Sequence, residues 1–256
     1  MFQGGTIVKK VEELLDEEGV DVNHVDCTND DENDGITILM LASANGDKDS
    51  CELLITRGAH LDVQSNYGWT ALILASYTGH KEVCELLITR GSEVDMQDKE
   101  GWTALMWASQ NGHKEVCELL ITRGSEVDMQ DNNGWTALMG ASYYGHKEVC
   151  ELLITRGCNV DMQDKDGQTA LMRASYRGMI PIVISLIEAG CDFFLFDEDG
   201  KSAMDYLREK HPDEVKRVQV TNFVTHLRTH CYTLTQSLSL DQSLSLTHSL
   251  LLTRPL

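Results

Sequence analysis

Gly35, Gly68, Gly101, Gly134, Gly167 and Gly200 stand 33 residues apart, with nothing inserted between them. A chain spaced in this way repeats one small unit, and its fold must let like units meet through like surfaces. Aligned on these glycines, the units read DGITILMLASANG, YGWTALILASYTG, EGWTALMWASQNG, NGWTALMGASYYG, DGQTALMRASYRG and DGKSAMDYLREKH. The block GHKEVCELLITRGSEVDMQD occurs verbatim at 79–98 and again at 112–131.

Each unit reads as helix, turn, helix, loop. Thr70 is placed to N-cap a short first helix and Gly79 to end it. Lys81 to Arg90 forms a second helix with Val83, Leu86 and Leu87 on one face, stopped by Gly91. The following SEVDMQDKEG is extended and polar, which suits a hairpin-like finger. Two short helices cannot bury their apolar faces alone, so stacked neighbours must complete the core.

The period, with its Gly-x-Thr-Ala-Leu-x-x-Ala-Ser…Gly-His…Glu-Leu-Leu…Gly order, resembles the ankyrin repeat over residues 5 to about 225. Thr70-Ala71-Leu72-Ile73 stands where that family usually has Thr-Pro-Leu-His. Ala replaces the Pro, and Ile or Met (Met106, Met139, Met172) replaces the His, so the His-mediated bonds of that turn are absent. The resemblance implies an all-α repeat solenoid of stacked helix-turn-helix-finger units closed by capping half-repeats. The expected division is 5–33 N-terminal capping half-repeat and acidic loop, repeats at 34–66, 67–99, 100–132, 133–165 and 166–198, and a C-terminal capping repeat at 199–228.

Both ends depart from the pattern. Ile7, Val8, Val11, Leu14 and Leu15 lie at helical spacing, and Gly19-Val20-Asp21-Val22-Asn23 copies the segment after a second helix. Gly19 to Gly58 spans 39 residues, which places six extra ones in the acidic loop Thr28–Asp34. The last unit carries charges at Arg208, Glu209 and Lys210 and restarts at Pro212, a favoured first helical position. Residues 229–256 are Ser, Thr and Leu of low complexity, expected to be disordered and resembling translated simple-sequence DNA. No function is assigned to them.

Formal net charge is −20, from 41 acidic and 21 basic residues. Nucleic acid is therefore an unsuitable partner, since phosphate binding needs clustered Lys and Arg. The apolar run Met179–Ile187 is too short to span a bilayer, which takes about 20 residues. The expected location is intracellular, cytoplasmic or nuclear, without membrane contact. Cys51, Cys84, Cys117 and Cys150 recur once per second helix, and Cys158 and Cys191 form a second series. Stacked helices lie about 8–10 Å apart, beyond the roughly 7 Å Cα separation of a disulfide. The thiols are expected to be free, buried, and kept in a reducing compartment.

His80, His113 and His146 precede those cysteines by four residues, but two ligands per unit leave a tetrahedral metal site half empty. Gly200-Lys201-Ser202 lacks the earlier glycine of a phosphate loop, where Leu195 stands. Leu15 to Asn23 fits a loose pattern that is hydroxylated in ankyrin proteins, although a short polar side chain bonding the loop backbone is the preferred reading of Asn23. No catalytic group, cofactor or metal is expected, and the chain is not read as an enzyme.

Near-identical units act as an internal control. The units from Glu100 and Asn133 differ at unit positions 1, 8, 11, 12, 26, 27 and 33, and those from Tyr67 and Glu100 at 1, 7, 8, 11, 12 and 33. Positions 8, 11 and 12 share one side of the first helix, and 33 and 1 form the fingertip. The resemblance makes that side the concave, partner-contacting one. Its expected contact residues are Trp69, Tyr77, Trp102, Trp107, Gln110, Asn111, Trp135, Tyr143, Tyr144, Arg173, Tyr176 and Arg177. Fingertip carboxylates Asp98, Glu100, Asp131, Asp164, Asp166, Asp197, Glu198 and Asp199 favour an apolar and basic partner segment. A monomeric, non-catalytic scaffold or adaptor for a partner protein is the leading expectation. The alternatives are an inhibitor masking a basic signal, and the targeting module of a larger enzyme.

Overall fold

The computed structural model describes residues 21–23, 25–26, 35–219 and 221. The helix expected before residue 21, the acidic loop Thr28–Asp34 and the 229–256 tail lie outside the described residues. The described chain starts with β1 (Val25–Asp26), antiparallel to β2 (Ile36–Thr37) with Val25 opposite Thr37. Inner helices α1 (Ile38–Ala44), α3 (Ala71–Thr78), α5 (Ala104–Gln110), α7 (Ala137–Tyr144), α9 (Ala170–Arg177) and α11 (Ala203–Lys210) alternate with a second set. The outer helices are α2 (Lys48–Thr56), α4 (Lys81–Thr89), α6 (Lys114–Thr122), α8 (Lys147–Thr155) and α10 (Ile180–Glu188). Where a helix start was expected at Pro212, the backbone first makes a 3₁₀ turn, Pro212–Glu214, and is helical at 215–219.

Each helix is only seven to nine residues long, too short to hold itself in water. Thr37, Thr70, Thr103, Thr136 and Thr169 start the inner helices, their hydroxyls accepting the backbone N–H of Met40, Ile73, Met106, Met139 and Met172. Each such cap contributes about 1 kcal/mol. The rest of the stability comes from stacking. Inner helix packs on inner helix, outer on outer, and each inner helix on the outer one of its own unit. One continuous core results, in which Leu72, Leu105, Leu138 and Leu171 are at most 2% exposed.

Polar groups tie each unit to the next at a fixed register. Where the family's usual turn histidine is missing, another histidine crosses the junction. The Nε2 of His80 lies 3.2 Å from the Ala44 carbonyl, and that of His113 3.0 Å from the Tyr77 carbonyl, so the carbonyl makes Nε2 the protonated nitrogen. The ring packs so closely on the preceding unit that a Cβ on Gly79 would stand 2.5 Å from His113 Nδ1. In the fingers, Gln64, Gln97, Gln130 and Gln163 each donate to a glycine carbonyl of their own turn and to the next finger's backbone. In the loops, Asp62, Asp95, Asp128 and Asp161 accept the backbone N–H of Glu93, Glu126, Asn159 and Asp192. Asn23 does the same work at the first junction, accepting from His60 N at 2.7 Å and donating to the Gly58 carbonyl at 3.2 Å.

The repeated cysteines fill the core between the helix layers. Cys51, Cys84, Cys117, Cys150 and Cys158 are buried, and the Sγ of the first four sits 3.5 Å from Ser43, Ser76, Ser109 and Ser142 Oγ. Burial pushes the Cys84, Cys117 and Cys150 thiols up to about 12 from 9.0. At pH 8 the thiolate fraction is then roughly a thousandfold below that of an exposed thiol. Cys51, Cys84, Cys117 and Cys150 should accordingly resist a thiol-reactive dye in the native protein and react fully in denaturant, as peptide mapping would show. Fast native labelling of all four would contradict the burial.

Fingers approach closely at Gly101, whose φ is +84° and whose Cβ would lie 2.7 Å from Asn132 N. Gly101→Ala should therefore lose at least about 2 kcal/mol, more than the left-handed backbone alone costs. Denaturant titration checks this, and a loss no greater than at an exposed glycine would refute the close approach.

Candidate functional site on the inner helices

The variable unit positions come together through contacts between successive units. Trp69, Tyr77, Trp102 and Trp107 form one aromatic cluster centred on Trp107. Its ring centroid lies 5.8 Å from Trp69, 5.3 Å from Tyr77 and 4.6 Å from Trp102. A second cluster contains Trp135, Tyr143 and Tyr144, with Arg173 4.2 Å over Trp135 and Arg177 4.9 Å over Tyr143. Tyr176 meets Tyr206 at 5.8 Å on its C-terminal side. Gln110, Asn111 and Gly140 lie between the clusters, and Asn111 donates its side-chain amide to the Trp107 carbonyl. All twelve sequence-selected residues therefore occur on this side. Of the tryptophans at unit position 3, Trp69 and Trp102 meet through Trp107, while Trp135 belongs to the second cluster.

Four of the carboxylates expected as fingertip charges have another role. Asp98, Asp131, Asp164 and Asp197 are each only 7% exposed. One oxygen of each accepts two backbone N–H groups of its own turn, such as Glu100 N and Trp102 N at Asp98, and Asn133 N and Trp135 N at Asp131. A short side chain at the start of a tight turn satisfies the turn's amides and is covered in doing so. Glu100, Asp166, Glu198 and Asp199 remain exposed and supply the fingertip charge.

The second oxygen faces unit position 8 of the next inner helix, nine residues on. Trp107 Nε1 donates to Asp98 at 2.9 Å, the Arg173 guanidinium to Asp164, and the Tyr206 hydroxyl to Asp197 at 2.5 Å. Burial and that bond push the Tyr206 phenol above its ordinary range. Ser65 holds the same place before Leu74 and, with one oxygen, accepts Tyr67 N and Trp69 N. Leu74 and Gly140 stand at the place of Trp107 in other units, which by itself suggests that the stack does not need Trp there. In its own unit, however, the Trp107 indole N–H satisfies a buried carboxylate that Leu74 does not face. Sequence comparison carried the signal, since at one spacing Ser precedes Leu and Asp precedes Trp, Arg or Tyr, with Gly140 after Asp131 the exception.

Phe194 and Phe196, 72% and 58% exposed, were not singled out from the sequence. They replace the loop aspartate and the finger glutamine of the earlier units. On the opposite side, a shallow hollow between α6 and α8 is lined by Lys114, Glu118, Glu148, Glu151, Leu152, Thr155 and Arg156. Two of its charges are paired, Arg156 with Glu118 at 3.2 Å and Glu151 with Lys147 at 2.9 Å. Among the described residues no helix is long and apolar enough to cross a membrane.

Compared with known families, the sequence matches a model described as ankyrin repeats in three copies, over residues 3–98, 88–164 and 141–217. No match to a curated protein was found.

The pairing of Asp98 with Trp107 is testable by transplanting the Ser–Leu pair. Trp107→Leu should cost about 2–3 kcal/mol, through lost ring contacts and an unpaired buried oxygen. Adding Asp98→Ser should recover about 1 kcal/mol of that loss in a double-mutant cycle followed by denaturation. Strict additivity would mean that the bond contributes nothing.

Proposed function

The chain belongs to the ankyrin-repeat family, whose repeats mediate protein–protein interaction, and from that premise we propose a non-catalytic scaffold or adaptor that grips a partner protein with its inner-helix and fingertip face. The observation that carries this reading is the distribution of exposed aromatic surface on the inner helices. Tyr77, Tyr144 and Tyr176 are 40%, 48% and 43% exposed there. Tyrosine, tryptophan and arginine supply most interface energy, because each buries a large flat area while keeping a polar group to pair. The outer helices of three units repeat the same KEVCELLIT sequence, so they offer the partner little that differs from unit to unit.

The non-catalytic part of the reading is supported by the places the reactive groups occupy. The repeated thiols are buried and protonated, His80 and His113 bond backbone carbonyls, and the turn aspartates hold amides. None of these groups is poised over an open cleft.

Peptides selected from a random displayed library on the full chain test the face. Tyr144→Ala with Tyr176→Ala should weaken the selected binders by about 2 kcal/mol, roughly thirtyfold. Lys81→Ala with Lys114→Ala, on the outer helices, should change binding by under about 0.5 kcal/mol. Equal losses from both pairs, with the fold intact, would place the grip elsewhere.

A further inference from the structure

The contacts of unit position 8 define a repeated receptor with one member left open. Trp107, Arg173 and Tyr206 at that position each meet two groups of the preceding unit, the turn carboxylate and the residue at unit position 3. Trp107 meets Asp98 and Trp69, Arg173 meets Asp164 and Trp135, and Tyr206 meets Asp197 and Gln168. One unit earlier than Arg173, the same three places hold Asp131, Trp102 and Gly140. With no side chain on Gly140, nothing among the described residues donates to the second oxygen of Asp131, while its first oxygen holds Asn133 N and Trp135 N. Asp131 is 7% exposed, yet it is not among the fully enclosed polar groups lacking a partner, so solvent reaches that oxygen.

Gly140 is buried, yet its position has room for a side chain. A Cβ built on Gly140 meets only Gln110, at 3.7 Å, an ordinary contact. The chain thus keeps a glycine inside α7 where alanine fits, at a cost of about 1 kcal/mol to the helix.

Resting on the reading that this face binds a protein, we propose that Asp131 and Trp102, uncovered by Gly140, receive an arginine side chain of the partner. The chain itself displays the geometry one unit on, where the Arg173 guanidinium is bonded to Asp164 and lies 4.2 Å over Trp135. Trp and Tyr also fill such receptors here, but arginine alone both neutralises a nearly buried carboxylate and stacks on an indole. A chain of net charge −20 attracts a cationic segment. A lysine would pair with Asp131 as a point charge without the planar stacking.

The test is an NMR titration of the full chain with N-acetyl-L-arginine methylamide, and with its citrulline counterpart as a neutral isostere. The arginine compound should shift the Trp102 indole and the Asn133 and Trp135 amides saturably, at millimolar affinity, and citrulline should not. Asp131→Asn keeps the oxygen that holds the turn but puts an NH₂ in place of the other, and should weaken binding about tenfold or more. Gly140→Arg should fill the receptor from within, as Arg173 does, and abolish the shifts. Shifts equal for citrulline, or undiminished in both variants, would overturn the proposal. The selected peptides separate the two failures. Binders lost on Tyr144→Ala with Tyr176→Ala but unchanged on Asp131→Asn and Gly140→Arg would leave the face standing and remove the arginine receptor.

Discussion

No unit of this chain closes its own core, and that incompleteness governs the rest of the structure. A pair of helices of seven to nine residues exposes one apolar side whichever way it folds, so each unit is finished by its neighbour. Leu105 and Leu120 lie at 1% and 0% exposure because the units before and after Gly101 cover them. Stability is therefore a property of junctions, and every junction must present the same surface as the last.

That requirement explains the strict spacing. The His80 and His113 rings reach into the preceding unit, and the finger glutamines and loop aspartates into the next, each at its own fixed offset, so a single inserted residue would break all of them together. The extra residues before Gly35 precede the first full unit, where they need not break those offsets. The charge pairs on the outer helices follow the same spacing, Arg90 with Glu52 and Arg123 with Glu85. With the arginines about a third and the glutamates about half exposed, each pair contributes no more than about 1 kcal/mol, so they decorate the register rather than set it.

Constraint at the junction leaves freedom on the inner face. Unit position 8 must answer the turn carboxylate behind it, but Trp107, Arg173 and Tyr206 all do so while giving the surface different chemistry. Gly140 leaves the carboxylate unanswered, between two aromatic clusters. Structural and recognition roles therefore overlap in the same side chains. Tyr144 and Tyr176, with large exposed areas, are better reporters of binding than Trp107, whose loss also disturbs the fold.

How much was legible beforehand follows from the range of the interactions. Periodicity, the Thr caps, the terminating glycines and the buried cysteines are local or repeat every 33 residues, so one sequence shows the solenoid and the side on which its units vary. Asn23 bonds loop backbone as its short polar side chain suggests, but across the first junction, to His60 N and the Gly58 carbonyl, rather than within its own loop. The roles of Asp98, Asp131, Asp164 and Asp197 were not legible, because a fingertip aspartate looks solvent-facing until the following inner helix is laid across it. The partner of Trp107 was hidden likewise: comparison with Leu74 and Gly140 shows the residue varying but not what it bonds, Asp98 in one unit where Ser65 stands in another. Sequence alone determined which units stack and where they vary. Tertiary structure decided which polar groups are satisfied at each junction and which one is left open, since that depends on side chains meeting across units.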